Sequence, residues 1–94
     1  MTGGDSARLR LIVSGRVQGV FFRAAARARA RSFDLCGYAR NLADGTVEIV
    51  AEGRREALRA MAEWARIGPP AAGVDDVREE WSESRQEFQD FTVA

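Results

Sequence analysis

The sequence predicts an α+β fold: a ferredoxin-like βαββαβ sandwich with an antiparallel sheet, two helices on one face and an extra C-terminal strand. Three observations point there. Alternating apolar residues mark short strands at 9–13 and 47–51. Two alanine-containing segments, around 22–33 and 58–65, repeat apolar residues at helical spacing. Asp44-Gly45 stands between two strand-like runs and reads as a hairpin, because Asp-Gly supplies the positive φ that tight turns need. The order β-α-β-β-α-β-β is that of the ferredoxin-like sandwich.

Residues 1–7 are polar and small and are expected to form a flexible N-terminal lead to a single domain over 8–94. Strand one is expected over Arg8 to Ser14, with Leu9, Leu11 and Val13 on one face and Arg8, Arg10, Ile12 and Ser14 on the other. A glycine-bracketed loop, Gly15 to Gly19, leads into a helix over Phe22 to Ser32. Its apolar side uses Phe22, Ala25, Ala26, Ala30 and Phe33. Strand two is expected from Gly37 to Leu42 and strand three from Thr46 to Glu52. Val47, Ile49 and Ala51 should face in, Glu48 and Glu52 out. Gly53 can cap a second helix, Arg54 to Ile67, whose stripe is Leu58, Met61, Ala62 and Ala65 with Trp64 at its edge. Gly68 fits a left-handed helix stop, and Pro69-Pro70 prevents continuation. Strand four lies near Val74 to Ser82, with Val77 and Trp81 on one face. A last strand runs from Phe88 to Val93. Trp64 and Trp81 read as packing residues.

Composition limits what such a domain does. With 94 residues there is room for one core of two packed layers. Fourteen arginines balance fourteen acids, which argues against a general nucleic-acid or membrane binder. The charges are unevenly spread: residues 1–40 carry a net +6 and the remainder −6. A small acidic ligand would be drawn to the N-terminal half. Cys36 is the only cysteine and there is no histidine or lysine, so zinc spacing, a disulfide and Ser-His-Asp chemistry are all missing from the sequence. No apolar run is long enough for a signal peptide or membrane span, and a soluble cytoplasmic protein acting as a monomer is expected.

The informative stretch is Gly15-Arg16-Val17-Gln18-Gly19-Val20-Phe21-Phe22-Arg23, read as strand, loop and helix start. Glycines let several backbone N–H groups converge, and the first helical turn adds unpaired donors, a common way to build a phosphate site. Arg23 falls in that first turn, where the helix dipole mildly disfavours a cation unless an anion lies between them. Its fork of donors can make two charge-assisted bonds to phosphoryl oxygens. The stretch is not a P-loop, for it lacks the terminal Gly-Lys-Ser/Thr.

The string GRVQGVFFR closely resembles the signature of the acylphosphatase family. Gly37-Tyr38-Ala39-Arg40-Asn41-Leu42-Ala43-Asp44-Gly45-Thr46-Val47-Glu48 resembles that family's second segment, and Trp64-Ala65-Arg66-Ile67-Gly68-Pro69 its helix end. Ala39 and Asp34 depart from the pattern, Asp34 standing where a glycine usually closes the first helix. The resemblance covers roughly residues 8 to 93 and implies the same fold. It also implies a hydrolase that splits the carboxyl–phosphate bond of small acyl phosphates into a carboxylate and inorganic phosphate, without cofactor or metal. On this reading the backbone of Gly15, Arg16, Val17, Gln18, Gly19 and Val20 cradles the phosphate, Arg23 clamps it, and Asn41 orients the attacking water. Arg16 and Gln18 would keep their side chains in solvent, and Arg40 would point to the opposite sheet face.

The residue inventory suits that chemistry. A carboxylate leaving group needs no general acid, so position and positive charge suffice. The alternative is a non-catalytic module on the same fold that holds phosphate, carbamoyl phosphate or a protein partner. RNA binding is disfavoured, because the strands lack an aromatic-rich motif.

Overall fold

Alternation in the first strand decides which side of the sheet is dry. In the computed structural model, which describes residues 5–94, β1 spans Ser6–Arg16 and buries Ala7, Leu9, Leu11 and Val13 on one side. The strand begins two residues before the expected Arg8, because Ala7 is part of the core and pairs with Gly53. Ser6 and Ala7 are therefore strand rather than lead. The first four residues of the expected lead lie outside the described residues. β1 also runs two residues further than expected. A register shift after Ser14 lets Gly15 pair with Val74 and Arg16 with Gly73.

α1 (Phe22–Ser32) lies where its periodicity puts it and buries Phe22, Ala26 and Ala30. Alanines on that face let the helix lie close to the sheet. Asp34 closes the helix in the left-handed conformation, at φ 59°, while Leu35 N–H donates to Ala30 O at 2.9 Å. β2 (Cys36–Asn41) and β3 (Val47–Arg54) form the expected hairpin, and Asp44 Oδ1 accepts from Thr46 N at 3.0 Å and Thr46 Oγ1 at 2.6 Å. Gly53 stays inside β3 instead of capping the second helix, because it pairs with Ala7 of β1.

α2 (Arg55–Ala65) buries Leu58, Met61, Ala62 and Ala65, the expected stripe. Gly68 takes φ 72° and donates to Trp64 O at 2.8 Å. A Cβ there would meet the Phe22 ring at 2.8 Å, so glycine serves both the helix stop and the packing of the two helices. Trp64 packs on Phe22 with ring centroids 5.3 Å apart.

β4 (Gly73–Ser82) and β5 (Phe91–Val93) are the sheet edges, in the order β4-β1-β3-β2-β5. The β4-β1-β3-β2 portion is antiparallel, as expected, but β5 runs parallel to β2. The chain must cross the sheet after β4 to reach the far edge, and it arrives there in the direction of β2. The crossing consumes Phe88, which packs on Tyr38 at 5.9 Å, so the last strand starts at Phe91 rather than Phe88. Trp81 is less buried than a packing residue: it is 38% exposed and donates Nε1–H to Glu79 at 3.0 Å.

The face of the sheet away from the helices is where the uneven charges meet. Glu48 and Glu52 turn from the core as alternation requires, yet both are buried, which corrects the expectation of solvent-facing acids. Arg10 Nε reaches Glu48 Oε2 at 2.6 Å and Arg40 Nε reaches Glu48 Oε1 at 2.5 Å. Arg8 binds both Glu52 and Glu87. Arg40 is thus on the opposite sheet face, as expected, and occupied. Burial pushes the Glu48 carboxyl up, but the hydrogen bonds and charges of Arg10 and Arg40 outweigh it and hold the group below its ordinary value. Such a group stabilises the fold fully above its unfolded pKa, about 4.3, and loses that contribution as pH falls through the folded value. Glu48→Gln is therefore expected to cost about 1–3 kcal/mol at neutral pH. The gap should begin to narrow as pH falls below about 4.3, where the unfolded carboxyl takes up its proton before the native one does. Urea unfolding at pH 7 and pH 3.5 checks this, and an equal gap at both would show that charge is not the cause.

Candidate active site

Strand register, loop geometry and a helix end converge at one cavity. In β2, Gly37, Ala39 and Asn41 share the helix-side face, opposite Ala51, Ile49 and Val47 of β3. Asn41 is the last residue of β2, so it projects on the same side of the sheet as α1. Arg23 is the second residue of α1 and is half-buried. A cavity of about 280 Å³ is lined by both, together with Val17, Gly19, Phe21, Phe22, Ala24 and Val93.

The helix end is prepared for an anion. The first intrahelical bond runs from Ala25 N–H to Phe21 O at 3.0 Å, so the amides of Phe22, Arg23 and Ala24 have no intrahelical acceptor. No side chain caps them and no acid stands in the first turn. The loop before the helix carries two left-handed residues, Gly19 at φ 78° and Phe21 at φ 64°. Gly15 is required for another reason: at φ 119° it passes so near β4 that a Cβ would meet Gly73 O at 2.2 Å. Positive potential from the helix end and from Arg23 acts on the same small volume.

Not every residue expected at the phosphate lines the cavity. Val17 and Gly19 do, while Gly15, Arg16, Gln18 and Val20 do not. Gly15 and Arg16 belong to the end of β1, paired to β4, so the free loop is shorter than Gly15–Val20. Gln18 overturns the expectation of a solvated side chain. Its Nε2 donates to Leu42 O at 2.8 Å and Thr46 O at 2.9 Å, fastening the loop to the base of the hairpin beyond Asn41. The turn of that hairpin is closed by Asp44, which leaves the exposed Asn41 amide without a hydrogen bond to the described residues.

Among the described residues Arg23 has one hydrogen-bond partner: Nη1–H donates to the backbone oxygen of Ala94 at 2.8 Å. That bond steadies the guanidinium and leaves most of its five N–H donors for a ligand. Nothing in the linear sequence signals it, because 71 positions separate the two residues. Phe21, Ala24 and Val93 were also invisible as lining residues. Phe21 could have been suspected, as an aromatic with no place in the helix stripe, next to the loop glycine. A larger groove of about 510 Å³ runs between α2 and β4, but there Arg66 already meets Glu79 at 2.9 Å. Among the described residues, no group of three or more His, Cys, Asp or Glu could hold a metal ion.

Comparisons with known proteins bear on this geometry. Residues 9–93 match the family model for acylphosphatase. The chain is 48% identical over 90 residues to an acylphosphatase of Pyrobaculum arsenaticum, covering 95% of each. It is 50% identical over 84 residues to one of Marinobacter nauticus, covering 89% of this chain and 91% of the other. The structure of an acylphosphatase from Coxiella burnetii superposes with a TM-score of 0.90 at 38% identity, covering 97% of this chain and 95% of that one.

Proposed function

This chain belongs to the acylphosphatase family of hydrolases, and from that premise we propose how it acts: it uses the cavity at the start of α1 to hydrolyse the carboxyl–phosphate bond of small acyl phosphates. The phosphoryl oxygens take hydrogen bonds from the loop amides of Val17 to Val20, from the first amides of α1, and from the Arg23 fork. Gly15 and Arg16 act from the strand end, by setting where the loop departs. The Asn41 amide oxygen accepts a hydrogen bond from the attacking water and its N–H donates to a phosphoryl oxygen, holding the water in line with the bond to be broken. The water oxygen bonds to phosphorus, the P–O bond to the acyl group breaks, and its electron pair leaves with the carboxylate. The water proton passes to a phosphoryl oxygen, giving inorganic phosphate. An amide is too weak a base to take that proton, and a carboxylate leaving group needs none.

What supports this reading is one observation: two side chains of suitable chemistry, Arg23 and Asn41, share a cavity with an uncapped helix start. The test is hydrolysis of benzoyl phosphate by the purified chain, with and without excess EDTA. Acceleration over the spontaneous rate that EDTA leaves unchanged is expected. Decay at the spontaneous rate would remove the catalytic reading, and loss of activity with EDTA would remove the metal-free one.

We propose further that the chain works in the cytoplasm as a monomer without a nucleic-acid partner. No described helix is long and apolar enough to cross a membrane. Half of the N-terminal arginines are answered within the fold, Arg8, Arg10, Arg31 and Arg40 all meeting acids of the later half. Sedimentation as a single species of monomer mass checks the oligomeric state, and a stable dimer would overturn it.

A further inference from the structure

We propose that Phe21 is the acyl-side specificity residue of this site, an apolar platform that selects acyl phosphates with aromatic or bulky apolar acyl groups over small or polar ones. The inference rests on the hydrolase reading above and adds the substrate class. Phe21 lines the same cavity as Arg23 and Asn41. It is 83% exposed, more than the other exposed large apolar residues, Ile67, Trp81 and Val93. It also holds φ 64° and ψ 25° as the residue preceding α1, where a bulky side chain is strained and glycine would fit without cost. Neither packing nor backbone need accounts for a phenyl ring there, and strain held at a ligand cavity points to use. The cavity is divided in character. Arg23, Asn41 and the helix start supply its polar groups, and Phe21 and the exposed Val93 supply apolar lining. With the phosphoryl group held by the polar groups, the acyl substituent meets the apolar lining, of which Phe21 is the largest exposed part.

The experiment compares kcat/KM for benzoyl and acetyl phosphate in wild type, Phe21→Gly and Phe21→Trp. Glycine suits the backbone conformation, and melting temperature confirms folding. The phosphoryl group is common to both substrates, so a platform acts on their ratio. Phe21→Gly is expected to lower the benzoyl-to-acetyl ratio about tenfold, through lost ring burial. Phe21→Trp should keep the ratio, and the inhibition constant of inorganic phosphate should stay within about twofold of wild type in both. The same comparison by equilibrium binding of benzoylphosphonate and acetylphosphonate, which are not hydrolysed, supplies a readout free of turnover. An unchanged ratio in Phe21→Gly overturns the platform, and so does an equal loss for both substrates with weakened phosphate inhibition, because Phe21 would then shape the loop. If the wild type turns over neither substrate yet prefers benzoylphosphonate through Phe21, the platform stands and the hydrolase reading falls.

Discussion

Arg23→Ala is expected to lower kcat/KM for benzoyl phosphate by about 10³ or more and to abolish competitive inhibition by inorganic phosphate. Two losses combine. Bound phosphate loses its one cationic side-chain donor in the cavity, and the transition state loses bonds that strengthen as charge moves onto the phosphoryl oxygens. A single preorganised donor of that kind contributes about 10²–10³ in rate alone. The helix start and loop amides remain, so some catalysis above the spontaneous rate should persist. Arg23→Lys separates charge from shape. It keeps the cation but loses the planar fork that can bond two oxygens at once, and recovery of only part of the loss is expected. Folding should be little affected, because among the described residues Arg23 bonds one backbone oxygen, Ala94 O. Steady-state kinetics with phosphate as inhibitor make the measurement. Full phosphate inhibition of Arg23→Ala would show that the clamp lies elsewhere.

Much of this architecture is legible in the sequence, and the parts that are not share a physical character. Local patterns are read well. The stripe of α1, the left-handed stop at Gly68 and the Asp44 hairpin depend on residues a few positions apart, and each forms where its pattern puts it. Long-range pairing moves the boundaries. β1 lengthens at both ends because Ala7 and Arg16 find partners in β3 and β4 that alternation within β1 cannot reveal. The parallel entry of β5 follows from a crossing that no local pattern encodes. Glu48 shows the same limit in energetic form. Its face is correct from period two, but its burial depends on arginines thirty-eight and eight positions away. At the site, Arg23 and Asn41 are visible as residue types in a phosphate-binding context. The contacts that hold them, Arg23 to Ala94 and Gln18 to the hairpin carbonyls, exist only once the chain has folded.

Those Gln18 contacts give the Asn41 prediction its internal control. Asn41→Ala is expected to lower kcat by about 10²–10³, the usual scale for one oriented polar group, while phosphate inhibition changes less than about threefold. Binding and chemistry should part because Arg23 and the amides grip phosphate whether or not the water is held in line. Gln18→Ala acts one step further out. It removes both bonds between the loop and the carbonyls of Leu42 and Thr46, so the hairpin end that carries Asn41 loses its register against the bound phosphate. A tenth-scale effect, about tenfold in kcat, is expected, since small misplacements of a positioned group are costly. If Gln18 works through Asn41, its substitution should do little in an Asn41→Ala background, and the double-mutant cycle should show strong non-additivity. Independent losses that multiply would instead assign Gln18 to the shape of the phosphate loop. Equal falls in kcat and phosphate affinity on Asn41→Ala would make gripping the phosphate, rather than holding the water, that residue's main role.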